Sequence, residues 1–153
     1  MSEAQTGTPQ RVAVVTGGAR RLGRHLCSML ARRGYAVVVL YRGSHDDAAT
    51  LVEEIETQGG HARALSVDIG VEPQVKAVFE DIAAHEGAVD LLVNNVGNYN
   101  PQHVTRLDPS VWDATIASNL SGAYYCCFHA LRLLRDAGNI IKDRKSTRLN
   151  SSH

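Results

Sequence analysis

Four short apolar runs, each followed by a stretch of helical periodicity, constrain this chain more than any other feature of its sequence. The runs are Arg11–Thr16 (RVAVVT), Ala36–Tyr41 (AVVVLY), His61–Asp68 (HARALSVD) and Val89–Asn95 (VDLLVNN). The β-branched run Arg11–Thr16 and the run Ala36–Tyr41 predict buried strands, as in a parallel sheet, and the other two predict a third and a fourth strand. Between them, Leu22, Leu26, Met29 and Leu30 mark one helical face, Ala48, Leu51, Val52 and Ile55 a second, and Val75, Val78, Phe79 and Ile82 a third. A longer helix is predicted from Asp108-Pro109, an N-cap residue followed by a first-turn proline. Its buried stripe is expected to run through Trp112, Ile116, Leu120, Ala123, Cys127, Leu131 and Leu134. Gly138-Asn139-Ile140-Ile141 then opens a fifth strand. Repeated β–α units of this kind imply an α/β fold with a doubly wound parallel sheet. Ligands of such sheets bind beyond the carboxyl ends of the strands. That directs attention to Gly17–Arg24, Tyr41–Ser44, Asp68-Ile69 and Asn94–Gly97.

Composition narrows the function classes. At 153 residues the chain fits one domain, long enough to bury a core. Sixteen basic and sixteen acidic side chains cancel, which gives no reason to expect a nucleic-acid or anionic-membrane partner. No apolar run reaches membrane-spanning length. Residues Met1–Gln10 are polar and read as a flexible N-terminus rather than a secretory signal. Cys27, Cys126 and Cys127 make an odd count with two neighbours, which argues against disulfides and for a reducing, cytoplasmic setting. They lack CxxC or HxxxH spacing, so no metal site is expected.

The stretch Thr16–Arg24 (TGGARRLGR) joins the first strand to the first helix. A turn in that place offers free backbone N–H groups and a helix dipole to a phosphate. Gly17 can turn sharply, and Gly23 lets the helix approach the sheet. The spacing is neither GxGxxG nor the GxxxxGK[ST] of a P-loop, which removes support for kinase or ATPase chemistry.

Taken in order, TGGARRLG, Asp68-Ile69, Asn94-Asn95-Val96-Gly97 and Asn119 resemble the short-chain dehydrogenase/reductase family over Arg11 to about Ile141. The resemblance implies a Rossmann-type NAD(P)-binding domain over 11–141 and an oxidoreductase acting on a small-molecule carbonyl. It also implies a homo-oligomer, a tetramer that uses the long helix. Arg21 stands where the commonest family pattern has its middle glycine. In this the chain is similar to the pteridine reductase branch, as it is in Gly34–Ser44, which ends on a tyrosine, a basic residue and a serine. A pteridine-type substrate is implied beside simple carbonyls.

Within that resemblance the cofactor contacts fall on Gly17, Arg20, Arg21 and Leu22 of the first turn and Tyr41, Arg42 and Ser44 of the second. Asp68 is expected to hydrogen-bond the adenine amino group, with Ile69 packing nearby; Asp68 as a plain helix cap is compatible with this. Asn95, Val96 and Gly97 are expected to line the ribose. NAD-preferring sites place Asp or Glu near the end of the second strand. Here that position holds Tyr41, Arg42, Gly43 and Ser44, with no carboxylate before Asp46. Arg20, Arg21 and Arg42 instead favour the 2′-phosphate of NADP(H). The competing reading leaves Arg20 and Arg24 as solvated helix residues.

Of the family's catalytic groups, Asn119 matches the helix asparagine of the proton relay. As a competing reading, it is a polar helix residue bonded locally. The serine and the Tyr-x-x-x-Lys pair do not appear: the residues four beyond Tyr124 and Tyr125 are Phe128 and His129. The final stretch, Asp143–His153 (DRKSTRLNSSH), is wholly polar and aperiodic. It resembles the translated read-through of a common sequencing-library adapter, and a natural basic tail is the alternative. Residues 142–153 are therefore expected to be an artefact, with the sheet truncated after the start of its fifth strand. The functional expectation is an NADPH-dependent reductase represented by its cofactor-binding part. The alternatives are a non-catalytic NADP(H)-binding sensor and a fragment without function.

Overall fold

The computed structural model describes residues 9–98 and 103–142. Most of the expected flexible N-terminus, and the expected artefact from residue 143 onward, lie outside the described residues. The elements run β1 (Val12–Thr16), α1 (Arg21–Arg32), β2 (Ala36–Tyr41), α2 (His45–Thr57), β3 (His61–Ser66), α3 (Glu72–His85) and β4 (Val89–Asn94). A short 3-10 turn (Val104–Arg106) precedes α4 (Pro109–Ile116), a π-helical segment (Ala117–Ser121), α5 (Gly122–Ala130) and β5 (Leu134–Lys142). The strands form one parallel sheet in the order β3-β2-β1-β4-β5. The chain therefore reverses its direction of winding between β1 and β4, which makes their carboxyl ends the switch point of a doubly wound fold.

Alternation along the strands divides the core in two. Ala13, Val15, Val37 and Val39 face Cys27, Leu30, Ala48, Leu51 and Ile55 of α1 and α2. Val12, Val14, Val38, Leu40 and Leu92 face Val75, Phe79 and Ile82 of α3 and Cys126 and Ala130 of α5. All five β1 residues are buried, which the continuous β-branched run required. The fifth strand starts earlier than the sequence predicts, at Leu134, and runs nine residues, with a register shift opposite Val89–Leu91.

Two helix faces differ from expectation. In α1 the buried residues are Gly23, Cys27 and Leu30, while Leu22 is 50% and Met29 39% exposed. The predicted stripe turns toward the β4–β5 side of the sheet. There Leu22, Leu26 and Met29 line an open cavity of about 730 Å³ with Leu91, Val93 and Ile141. In the long helix the predicted stripe is also wrong. Trp112, Leu120 and Leu131 are more than half exposed, Leu134 belongs to β5, and the buried face is Gly122, Cys126 and Ala130. From Leu120 onward the cause is the π-helical segment, where the Gly122 N–H reaches back five residues to the Ala117 carbonyl. One extra residue in a turn rotates everything after it by about 100°, since a helical residue normally occupies that much of a 3.6-residue turn. The hydroxyls of Thr115 and Ser118 donate to the carbonyls of Val111 and Ala114, at 2.7 and 3.0 Å. Such side-chain bonds to carbonyls four residues back loosen a helix at this point.

Candidate functional site

The switch point is held together by Thr16, a residue the sequence reading passed over. Its fully buried hydroxyl accepts the backbone N–H groups of Asn95 and Val96, at 3.0 and 3.2 Å. The Asn95 carboxamide returns the tie, donating to the carbonyls of Thr16 and Gly17 at 3.0 and 3.1 Å. The turn after β1 is thus fixed to the turn after β4 through polar groups that would be costly to bury unpaired. A hydroxyl at the end of a buried apolar run was the available signal.

The glycine turn is tight on its sheet side. Gly17 has φ +62°, a backbone that glycine adopts without steric cost. A Cβ on Gly23 would lie 2.1 Å from the Gly17 carbonyl oxygen and 2.7 Å from the Asn95 carboxamide, and one on Gly18 would lie 2.8 Å from the Cys27 sulfur. Arg21 also lies in the left-handed region, at φ +51°. Its backbone therefore keeps the conformation that glycine would hold at that place, and only the side chain is new. The N-terminus of α1 has no side-chain cap and no acidic residue in its first turn, so its orphan N–H groups and positive dipole end are left to an external anion.

The second turn abuts the first. The Gly18 N–H donates to the Leu40 carbonyl at 3.1 Å, which brings the end of β2 beside the glycine turn. Arg42 is exposed and lies 3.6 Å from the Asp68 carboxylate. Tyr41 bonds through its hydroxyl to Nδ1 of His45 at 2.8 Å. Ser44 occupies the N-cap of α2 without a side-chain cap bond. Arg20, grouped by sequence with Arg21 and Arg42, is ion-paired instead with Asp47 of α2. Arg24 is not a freely solvated side chain: it pairs with Glu54 at 2.6 Å and donates to the Asp47 carbonyl. These two arginines strap α1 to α2, whereas Arg21 makes no ion pair among the described residues.

The remaining positions gather at the same end of the sheet. Asp68 accepts the Gly70 N–H at 2.9 Å, closing its own turn, while the N-cap of α3 is Val71. Ile69 is 7% exposed and packs against α5, where a Cβ on Gly122 would come within 2.7 Å of it. Val96 lies against Gly17, and Gly97 is exposed with open space around it. Leu22 also stands exposed at the start of α1. Asn119 falls within the π-helical segment. Its carboxamide donates to the Asn98 carbonyl and accepts the Asn98 N–H, both at 2.6 Å. The Asn119 main-chain carbonyl accepts from Nζ of Lys142 at 3.0 Å. Tyr124 is 61% exposed.

No metal-binding cluster or activated thiol competes with it among the described residues. No group of three or more His, Cys, Asp or Glu side chains is placed to hold a metal. Burial pushes the thiols of Cys27 and Cys126 up to about 12, so neither is a nucleophile at neutral pH. No described helix is long and apolar enough to cross a membrane.

A parallel doubly wound sheet with a glycine turn, an uncapped helix and two arginines at its switch point defines a nucleotide-binding class of protein. Comparison with known proteins narrows that class. The family profile of the short chain dehydrogenases matches residues 11–142, and the chain belongs to that family. It is 37% identical to the 3-oxoacyl-[acyl-carrier-protein] reductase FabG of Staphylococcus epidermidis over 114 residues, 74% of this chain and 47% of that protein. It is 36% identical to elsinochrome reductase 1 of Elsinoe fawcettii over 131 residues, 86% of this chain and 49% of that protein. Among solved structures, a short chain dehydrogenase from Burkholderia cenocepacia in complex with NADP superposes with a TM-score of 0.84 at 30% identity. That match covers 89% of this chain and 56% of the other. The chain thus spans about half the length of the relatives it matches.

Proposed function

We propose that this chain is the cofactor-binding part of an NADPH-dependent reductase of a carbonyl or pteridine-type substrate. The observation that carries the reading is the carboxylate-free turn after β2, Tyr41 to Ser44, set beside the glycine turn by the Gly18–Leu40 hydrogen bond. The residues present fit a dinucleotide: the uncapped α1 N-terminus receives the pyrophosphate, and Gly17 and Gly23 let the backbone approach it. Arg21, Arg42 and Ser44 receive the 2′-phosphate, with Tyr41 at the edge of the adenosine ribose. Asp68 and Ile69 border the adenine, and Leu22, Asn95, Val96 and Gly97 border the rest of the dinucleotide. Arg20 contributes charge to the site while bound to Asp47. When bound, the cofactor supplies a hydride to the carbonyl carbon.

Asn119 acts as a relay residue through its carboxamide and its main-chain carbonyl. Tyr-x-x-x-Lys is absent from the sequence, so the chain by itself carries no reductase activity. Residues 11–141 are the incomplete NAD(P)-binding Rossmann domain, and the wholly polar, aperiodic stretch Asp143–His153 supports an adapter origin for 142–153. The exposed stripe of Leu120, Tyr124, Phe128 and Leu131 supports a homo-oligomer built on the long helix. The balanced charge and three free cysteines support a cytoplasmic location. The Arg21 position and the Tyr-basic-Ser turn favour a pteridine-reductase-like branch.

The test is Arg42→Asp. It should weaken NADPH binding at least tenfold more than NADH binding, because it replaces a charge-assisted contact by repulsion. Equal losses for the two cofactors would remove the argument.

A further inference from the structure

We infer that His45 is a specificity-determining residue for the 2′-phosphate, positioned for it by the hydroxyl of Tyr41; this rests on the NADPH reading of the site. His45 is the first residue of α2, one position beyond the Tyr41–Ser44 turn. Its ring is exposed, and Nδ1 is held by the Tyr41 hydroxyl at 2.8 Å, with the two rings 6.0 Å apart and tilted by 53°. Tyr41 is anchored in turn: its ring packs against the α1–α2 core, and its carbonyl accepts the Val67 N–H at 2.7 Å.

That single bond occupies Nδ1 and leaves Nε2 for another partner. A phenol hydroxyl both donates and accepts. When it donates to Nδ1 of the neutral ring, the proton sits on Nε2; when the ring is charged, both nitrogens carry protons. In both of these states Nε2 is a donor; in the third, where the neutral ring donates from Nδ1 to the phenol oxygen, Nε2 accepts, so an anion at this turn selects the first two. Nε2 has no partner among the described residues. An anion arriving at this turn therefore draws the ring into a state whose Nε2–H no other group occupies.

The charge balance around the turn gives that donor a purpose. Arg42 faces Asp68 at 3.6 Å, Arg20 is spent on Asp47, and Asp46 follows His45 directly in the first turn of α2. These acids offset much of the positive charge that the sequence places here. A phosphate dianion then needs neutral or cationic donors beyond Arg21 and Arg42, and His45 supplies one on a rigid element. A bare ribose hydroxyl at this place gains much less from it, which is what makes the residue selective.

The experiment compares binding of adenosine 2′,5′-bisphosphate and adenosine 5′-monophosphate to the 153-residue chain by calorimetry. These probes differ only in the 2′-phosphate and need no catalytic groups. The wild-type chain should prefer the bisphosphate. His45→Phe, which keeps the ring volume but has no donor, should cut that preference about tenfold and leave the monophosphate unchanged. His45→Gln, which keeps an amide donor, should retain most of it, and Tyr41→Phe should lose part of it. Circular dichroism of each variant reports on folding, and the Gln and Tyr41 variants carry the test if the Phe variant misfolds. A wild-type preference that survives in His45→Phe overturns this inference alone. Absence of any wild-type preference overturns the NADPH reading, and this inference with it.

Discussion

Replacing Arg21 by glycine separates the two things that this residue does. Arg21 is the only non-glycine residue with positive φ among the described residues. Holding a side chain in the left-handed region costs roughly 1–2 kcal/mol. Glycine removes that strain but gives up more backbone freedom on folding, about 0.5–1 kcal/mol. No ion pair is lost, since the Arg21 guanidinium has none among the described residues. The balance leaves Arg21→Gly more stable by up to about 1.5 kcal/mol, or up to about 6 °C in Tm for a chain of this length. The same change deletes a cation from the proposed 2′-phosphate clamp, so NADPH affinity should fall about tenfold while NADH affinity holds. Thermal unfolding followed by circular dichroism, with calorimetric titration of both cofactors, reads both effects on one variant. A drop of several degrees in Tm, or equal losses for the two cofactors, would refute the view that Arg21 trades stability for selectivity.

Two further outcomes follow from the packing. Gly23→Ala should destabilise the chain by about 2–3 kcal/mol, because its Cβ meets the Gly17 carbonyl oxygen at 2.1 Å and the Asn95 carboxamide at 2.7 Å; a urea midpoint matching wild type would contradict this. Cys27 and Cys126 are raised to about 12 by burial, so the folded state favours the protonated thiol. Their contribution is complete below the pKa of an exposed thiol, about 8.5, and is lost as pH rises through 12. Iodoacetamide at pH 8 should therefore label neither residue in the native chain and both in denaturant, read by mass spectrometry; native labelling of Cys27 would refute its burial.

The first two strands were legible because an apolar run buried on two faces leaves little else for the chain to do, and the parallel sense of the sheet followed from the repeats. The helix faces were less legible, for two physical reasons. Periodicity cannot show which edge of an apolar face meets the sheet when, as in α1, that face is wider than the buried contact through Gly23, Cys27 and Leu30. Nor can it register a π-helical insertion, which moved burial from the Leu120–Leu131 stripe to Gly122, Cys126 and Ala130. At the site, the glycines and the absence of a carboxylate after β2 were visible in the sequence. The diversion of Arg20 to Asp47 was not, because it depends on how α2 lies along α1. The Thr16 and Asn95 cross-ties were also hidden, since they join residues 79 positions apart.

The central claim is that the turns after β1 and β2 select a 2′-phosphorylated dinucleotide. Its most direct test is a side-by-side calorimetric titration of the wild-type chain with NADPH and NADH at low salt. The account predicts NADPH tighter by at least tenfold, with the gap narrowing as salt screens Arg21 and Arg42. Equal dissociation constants, or tighter binding of NADH, would contradict it.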